Sequence, residues 1–185
     1  MRAVVVYESM YGNTHLIADA IAAGLQPACE VRVVPVSQAS PAVLAGADLV
    51  VVGGPTHMHG MTRAASRKAA VEAAKKPASP LKVEPDALGP GLREWFGRLG
   101  RYQVNAAAFD TRIHAPAAFT GRASKGIAQQ LRAHGYEVIA EPESFLVTKQ
   151  DRLEPHETSR ARDWAAQLAA SLTPDPELRR KGVRS

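Results

Sequence analysis

The sequence predicts an α/β protein whose parallel sheet is covered by helices on both faces. Short, continuous apolar runs recur along the chain, and such runs are typical of strands that are buried on both sides. Helical patterns separate these runs, and strands that alternate with helices favour a doubly wound parallel sheet. The predicted strands are residues 3–7, 31–36, 49–52, 106–109 and 137–140, and residues 144–147 are a candidate continuation beyond Pro142.

The predicted helices lie between these strands, where apolar residues recur at helical spacing. Pro41 is suited to the first position of a short helix, and Gly135 is a favourable helix stop. The segment 77–91 contains four prolines and two glycines, so we expect a surface loop there. The helices are expected at residues 16–25, 42–44, 64–76, 91–99, 127–134 and 164–172.

Length and composition indicate one domain. The chain has 185 residues, of which 45% are hydrophobic and 22% are charged, as in an ordinary globular protein. We expect a single domain over residues 1–172 and a basic, mobile tail over residues 173–185. No apolar run approaches the roughly 20 residues that cross a bilayer, so no transmembrane segment is expected.

The net charge and the cysteine content indicate which partners and which cellular compartment to expect. The net charge is +5, but the densest basic cluster lies in the tail, so we expect a solvated basic surface and no nucleic-acid partner. Cys29 is the single cysteine and cannot form an internal disulfide. Nothing therefore points to an oxidising compartment, and a cytoplasmic location is expected.

The first candidate site lies between the first predicted strand and the first predicted helix. Hydroxyl groups, an amide and the backbone N–H groups of a helix start can cradle an anion without a charged side chain. A capped helix start, with Asn13 as the cap, is the alternative interpretation. Neither the Walker pattern nor the three-glycine dinucleotide pattern is present. The segment consists of Ser9, Met10, Tyr11, Gly12, Asn13 and Thr14.

Two further segments follow predicted strands, and ligands of open parallel sheets bind at the carboxyl ends of strands. The first comes after two glycines that allow a close backbone approach, and its His-x-His pair lacks the further ligands of a metal site. Its residues are Pro55, Thr56, His57, Met58, His59 and Gly60. The second is a loop longer than a simple turn requires, beginning with Asp110, Thr111 and Arg112. Solvated loop side chains are the alternative for both.

Together, the three segments resemble the FMN-binding loops of the flavodoxin family. The run VVVYESMYGNT at residues 4–14 is similar to the family's phosphate loop, Ser/Thr-x-Thr/Tyr-Gly-Asn-Thr. The order and spacing of the two later segments also match, and the resemblance covers roughly residues 1–172. It implies a five-stranded sheet of order 2-1-3-4-5 that binds flavin mononucleotide (FMN) at its carboxyl edge.

The resemblance also implies which residues hold the cofactor. Residues 9–14 would bind the phosphate, with Met10 contributing a backbone N–H. Residues 55–60 would border one side of the isoalloxazine ring, and residues 110–112 the other. Unlike many flavodoxins, neither of these two segments contains Trp or Tyr, and the chain is basic rather than acidic.

Three functions remain open at this level. The chain is either a one-electron carrier for a redox partner protein or an FMN enzyme that passes two electrons to a quinone-like small molecule. Quinone reductases and menaquinone-linked protoporphyrinogen dehydrogenases of similar fold are precedents for the second function. A flavodoxin-shaped module that binds a partner without redox activity is the third. No triad, paired carboxylates or metal cluster indicates hydrolysis, so no catalytic residue and no metal ligand are predicted.

Overall fold

The computed structural model describes residues 1–77 and 79–172, so the predicted tail at 173–185 lies outside the described residues. The strands are β1 (Arg2–Tyr7), β2 (Glu30–Pro35), β3 (Leu49–Pro55), β4 (Asn105–Ile113), β5 (Glu137–Val138) and β6 (Glu143–Val147). The helices are α1 (Asn13–Leu25), α2 (Pro41–Leu44), α3 (Ala64–Ala74), α4 (Leu92–Phe96), α5 (Ala117–Thr120), α6 (Ala123–Ala133) and α7 (Glu157–Leu172). None of these described helices is long and apolar enough to span a membrane.

The sheet is parallel and has the order β2-β1-β3-β4-β5. This confirms the predicted doubly wound arrangement. The last strand is interrupted: β5 pairs with the start of β4, and β6 pairs with its end. The short stretch that contains Pro142 separates the two pieces, because proline cannot donate a ladder hydrogen bond.

Helices cover both faces of the sheet, because alternate residues of each inner strand point to opposite sides. On β1, Val4 and Val6 pack on the face covered by α2, α4 and α6. Ala3 and Val5 pack on the opposite face, against α1 and α7. All four side chains are completely buried, which explains why the strand reads as a continuous apolar run.

Strands β3 and β4 extend further than their apolar runs predict. β3 continues through Gly53 and Gly54 to Pro55, and β4 continues to Ile113. The extension arises because Pro55 pairs with Thr111 on one side of β4, while Ile113 pairs with Val147 of β6 on the other. The prediction that a loop begins at Asp110 is therefore wrong: residues 110–112 belong to the strand.

Candidate functional site

The candidate site is a cavity at the carboxyl edge of the sheet. Tyr7, the last residue of β1, lies there beside Gly53, and Gly53 lies beside Phe109; β3 and β4 continue beyond this level to Pro55 and Ile113. A Cβ atom on Gly53 would lie 2.2 Å from the Phe109 ring, so only glycine fits this close approach. The three predicted segments thus meet around one crevice, whose volume is about 380 Å³.

Ten of the predicted site residues line this cavity, namely Ser9, Met10, Tyr11, Asn13, Thr14, Pro55, Thr56, His57, Thr111 and Arg112. Five predicted residues lie outside its lining: Gly12, Met58, His59, Gly60 and Asp110. Nine lining residues were not predicted: Thr62, Ser66, Arg67, Ala69, Ala70, Ala73, Ile113, Val147 and Asp151.

The first segment turns sharply into α1. Gly12 has φ +96°, a left-handed conformation that favours glycine, and its N–H donates to Ser9 Oγ at 3.1 Å. The alternative with Asn13 as helix cap is wrong, because Asn13 is the first helical residue. Its side-chain amide instead donates to the backbone oxygen of Asp151 at 3.0 Å.

The hydroxyl of Thr14 joins the first and third segments. Its Oγ1 lies 2.8 Å from Thr111 Oγ1, and both side chains are buried. The N–H groups in the first turn of a helix have no helical carbonyl to accept them. The start of α1 therefore presents backbone donors and the positive end of the helix dipole beside these hydroxyls.

The second segment contains a strained tight turn at residues 57–60. His57 and Gly60 exchange backbone hydrogen bonds of 2.8 and 3.2 Å. Met58 and His59 at the tip have φ +46° and +72°, although neither is glycine, and such conformations cost energy. The turn presents Met58 to solvent with 83% of its surface exposed. Only His57 of these four residues faces the cavity.

In the third segment, Asp110 has a structural role, whereas Arg112 lines the cavity. Asp110 is fully buried, and its Oδ2 accepts from the Ser124 N–H at 2.7 Å near the start of α6. Arg112 lines the cavity while its Nη1 donates to Ala115 O at 2.7 Å and to Thr120 Oγ1 at 3.2 Å. Arg112 therefore anchors the loop that follows β4.

Helix α3 forms a wall that the sequence patterns did not indicate as part of the site. Tyr11 Oη donates to the backbone oxygen of Ala70 at 2.8 Å, which fixes α3 against the first segment. Met10 packs with Val71 and Ala87 in a small separate cluster. Burial and, to a lesser degree, the charge of Asp151 raise the pKa of Tyr11, so its hydroxyl remains protonated and able to donate.

A buried polar network includes Thr62 and Arg67, which both line the cavity. The Thr62 hydroxyl donates to the Glu8 carboxylate, and Arg67 Nη1 donates to Thr62 Oγ1 at 3.2 Å. Arg67 Nη2 pairs with Glu94 Oε1 at 3.0 Å. Burial opposes ionisation of Glu94, but the hydrogen bond and charge of Arg67, together with hydrogen bonds from the backbone, outweigh it and lower the pKa of this carboxyl. The network thus ties α3 to the carboxyl end of β1 and the start of α4.

Asp151 places a carboxyl group in the same cavity. It adopts a left-handed conformation with φ +57°. Burial raises the pKa of Asp151, and the amide of Asn13 only partly opposes this shift. In the part of the chain that the structure describes, no three His, Cys, Asp or Glu side chains are grouped to hold a metal ion.

Comparison with known proteins gives the same architecture. The flavodoxin domain family matches residues 4–68. An archaeal flavodoxin superposes with a TM-score of 0.63 at 20% identity, covering 93% of this chain and 99% of the other. Oxidised flavodoxin 1 from Bacillus cereus superposes with a TM-score of 0.63 at 19% identity, covering 94% of this chain and 100% of the other. The chain has a flavodoxin-like fold.

The resemblance to the flavodoxin family inferred from the three segments is thereby confirmed. A WrbA-like flavodoxin protein from Agrobacterium tumefaciens is also similar, with a TM-score of 0.53 at 19% identity over 92% of this chain and 96% of the other. A search of curated proteins finds no significant match. The family match at residues 4–68 includes the first two segments of the site and the start of α3.

Proposed function

We propose that the protein binds one FMN in the cavity at the carboxyl edge of its sheet and uses it for redox chemistry. The observation that carries this proposal is the convergence of the Ser9 and Thr14 hydroxyls with the free N–H groups at the start of α1, on one side of that cavity. In doubly wound sheets such a crevice is the usual ligand site. The proposed binding unit is a single domain over residues 1–172.

The donor groups fit a flavin phosphate. Donors that carry no formal charge bind an anion through aligned dipoles, and the left-handed Gly12 lets the backbone turn into the helix at this point. The side chains of Arg67 and Arg112 also line the cavity.

We infer that residues 9–14 bind the phosphate and that Pro55, Thr56 and His57 border the ring on one side. Thr111 and Arg112 would border it on the other. When bound, FMN supplies the electron-transfer chemistry, and the protein supplies position and electrostatics. Gly12, Met58, His59, Gly60 and Asp110 support these contacts from outside the cavity lining.

Electrons are proposed to pass in pairs to a quinone-like small molecule rather than singly to a partner protein. His57 and Arg112 line the cavity, and the guanidinium of Arg112 favours a negative charge on the fully reduced flavin. Stabilising that charge raises the second reduction potential and brings the two one-electron steps closer together.

The single cysteine remains the basis for proposing a cytoplasmic location.

Reconstitution followed by reductive titration tests the proposal. The purified protein should become yellow and retain FMN, and its spectrum should pass directly from the oxidised to the fully reduced form. A long-wavelength band that accumulates at the midpoint would favour the one-electron carrier instead. Failure to retain FMN under any condition would leave the alternative of a partner-binding module without redox activity.

A further inference from the structure

Three apolar side chains are exposed around the mouth of the cavity. Met58, Phe119 and Ile113 expose 83%, 76% and 48% of their surfaces. Ile113 lines the cavity itself, and Met58 follows His57, which also lines it. Phe119 lies on α5, whose last residue accepts a 3.2 Å hydrogen bond from the cavity-lining Arg112. The three exposed side chains therefore belong to one rim.

The two most exposed side chains of the rim lie on neighbouring segments. His59 and Gly121 form a parallel bridge between the turn at residues 57–60 and the end of α5. The contact is close, because a Cβ atom on Gly121 would lie 2.3 Å from His59 Cα. Holding Met58 in solvent on a turn with positive φ opposes both the hydrophobic effect and the backbone preference. Exposed apolar side chains grouped in this way are typical of an interaction surface.

Exposed basic side chains flank the rim. Arg93 reaches the turn from α4: its Nη2 lies 3.8 Å from the Cβ position of the last turn residue, and its Nε donates to Met61 O at 3.1 Å. Arg63 follows the turn at the start of α3. Lys125 precedes Gly126 in the first turn of α6, where an added Cβ would lie 3.5 Å from the Met61 side chain. Three exposed cations thus lie close to the turn that carries the most exposed side chain of the rim.

Neighbouring acids do not neutralise these cations. In the part of the chain that the structure describes, no carboxylate lies within ion-pair distance of Arg63, Arg93 or Lys125. The stretches 55–71 and 111–136 contain no Asp or Glu. The rim is therefore surrounded by positive charge, which complements an anionic surface.

The shape of the rim favours a lipid surface over a protein partner. A stable protein interface buries roughly 800 Å² on each side and needs matching shapes. Here single apolar side chains project from a tight turn and a short helix. A bilayer interface accepts such side chains without a preformed pocket, and anionic lipids attract each neighbouring Lys or Arg.

We propose that the rim and its flanking cations dock the protein on an anionic lipid bilayer. Docking in this way turns the mouth of the cavity toward the lipid. The inference goes beyond the proposed function, because lipid binding by these side chains does not require FMN. The docking surface consists of Met58, Ile113, Phe119, Arg63, Arg93 and Lys125.

Sedimentation with vesicles tests the docking surface. The full-length apoprotein should bind vesicles made of equal parts phosphatidylglycerol and phosphatidylcholine, and it should bind pure phosphatidylcholine vesicles much more weakly. The double variant Met58→Ser with Phe119→Ser should lower the partition coefficient for the anionic vesicles by about 30-fold, because two apolar side chains no longer enter the interface. Arg63→Gln combined with Lys125→Gln should also lower it by about 30-fold, about fivefold for each cation.

Leu88→Ser is the matched control for the loss of an exposed apolar side chain. Leu88 is 63% exposed, but its segment contains the acids Glu84 and Asp86. This variant should bind the anionic vesicles within about twofold of the parent protein, because neighbouring carboxylates oppose contact with anionic lipids. Thermal unfolding checks that all variants remain folded, as expected for substitutions of exposed residues.

A fluorescence measurement reports on the lipid contact itself. With anionic vesicles whose acyl chains are brominated, Phe119→Trp should show quenching beyond that of the parent protein, whereas Leu88→Trp should not. Equal quenching in the two variants would contradict the assignment of the docking surface to this rim.

Two vesicle results would overturn the inference. Binding that is unchanged in the double variant Met58→Ser with Phe119→Ser would assign the attraction to the general basic charge of the chain. Absence of binding to the anionic vesicles would exclude the lipid surface, and retention on immobilised poly-L-glutamate would then favour an acidic protein partner. Failure of the protein to retain FMN would refute the proposed function but leave the vesicle results unaffected.

Discussion

The two walls of the cavity offer a ligand different chemistry. The wall formed by residues 9–14 presents hydroxyls and backbone N–H groups at the start of α1, and it contains no charged side chain. The wall formed by α3 presents Arg67, held in a buried network with Glu8 and Glu94. The first wall suits an anion through dipoles, whereas the guanidinium of the second wall is already paired with a carboxylate.

This difference indicates that the two walls suit different parts of one ligand. A phosphate that enters beside oriented N–H groups keeps its charge without a neighbouring cation. The flavin body would then lie against the opposite wall, which α3 forms. The two walls are joined directly through the Tyr11 hydroxyl and the Ala70 carbonyl, and a variant at this link tests whether each wall can be altered without the other.

The largest effect is expected on the phosphate wall. The double variant Ser9→Ala with Thr14→Ala removes both hydroxyls and should weaken FMN binding by about 100-fold or more, because hydrogen bonds to a charged group are worth about 1.5–3 kcal/mol each. Riboflavin affinity should stay nearly constant. Calorimetric titration with both flavins measures the contrast, and equal losses for the two ligands would remove the distinction between the walls.

A smaller effect is expected from Arg112. Exchanging it for Gln removes a positive charge at the cavity and should lower the second reduction potential by roughly 60 mV, the one-electron equivalent of a tenfold change. Arg112→Lys keeps the charge and is the matched control, because both variants disturb the hydrogen bonds to Ala115 and Thr120. Spectroelectrochemistry measures both potentials. Equal potentials in all three proteins would show that this charge does not reach the flavin.

Replacing Asp151 should strengthen FMN binding rather than weaken it. Asn tolerates the left-handed backbone at this position, and Asp151→Asn removes a negative charge that repels the phosphate. We expect FMN to bind about fivefold more tightly at neutral pH and riboflavin to be unaffected, corresponding to about 1 kcal/mol of screened repulsion. An unchanged FMN affinity would place this carboxyl away from the phosphate.

The same variant should change how the folding stability of the apoprotein depends on pH. Burial raises the pKa of Asp151 in the folded protein above its ordinary value. The parent protein therefore loses folding stability as the pH rises from the ordinary pKa through the raised one. Asp151→Asn should therefore be the more stable protein at neutral pH, and the gap should close in acid. Equilibrium unfolding at several pH values measures this difference, and a gap that widens in acid would contradict it.

The smallest effect concerns the link between the walls. Tyr11→Phe removes the hydrogen bond to Ala70 and should destabilise the apoprotein by about 1 kcal/mol, lowering the melting temperature by about 2–4 °C. Flavin affinities should change by less than about threefold if each wall holds its own position. Thermal unfolding and titration of one preparation check both statements. A large loss of affinity for both flavins would show that the walls depend on each other.

The sequence predicts the first wall better than the second for a physical reason. Residues 9–14 are contiguous, and their loop geometry is encoded locally by Gly12 and the start of α1. The second wall depends on pairs distant in sequence, such as Glu8 with Thr62 and Arg67 with Glu94. α3 is also rich in alanine, so its pattern predicts a helix without indicating which face meets the cavity.

The fold shows the same contrast between local and distant signals. The apolar runs correctly locate the buried strands, and the resemblance correctly implies their order. The ends of β3 and β4 could not be predicted, because Gly53, Gly54 and Asp110 become strand residues only through pairing with neighbouring strands. Likewise, Asp110 looked like a loop ligand but serves the start of α6 through Ser124.

The relative affinity for FMN and riboflavin tests the central claim most directly. Titrating the unmodified apoprotein by calorimetry should show one FMN per chain, bound about 100-fold or more tightly than riboflavin because only FMN engages the hydroxyls and N–H groups of residues 9–14. FAD, whose phosphate is esterified, should bind less tightly than FMN. Equal affinities for FMN and riboflavin would contradict the assignment of this wall to the phosphate.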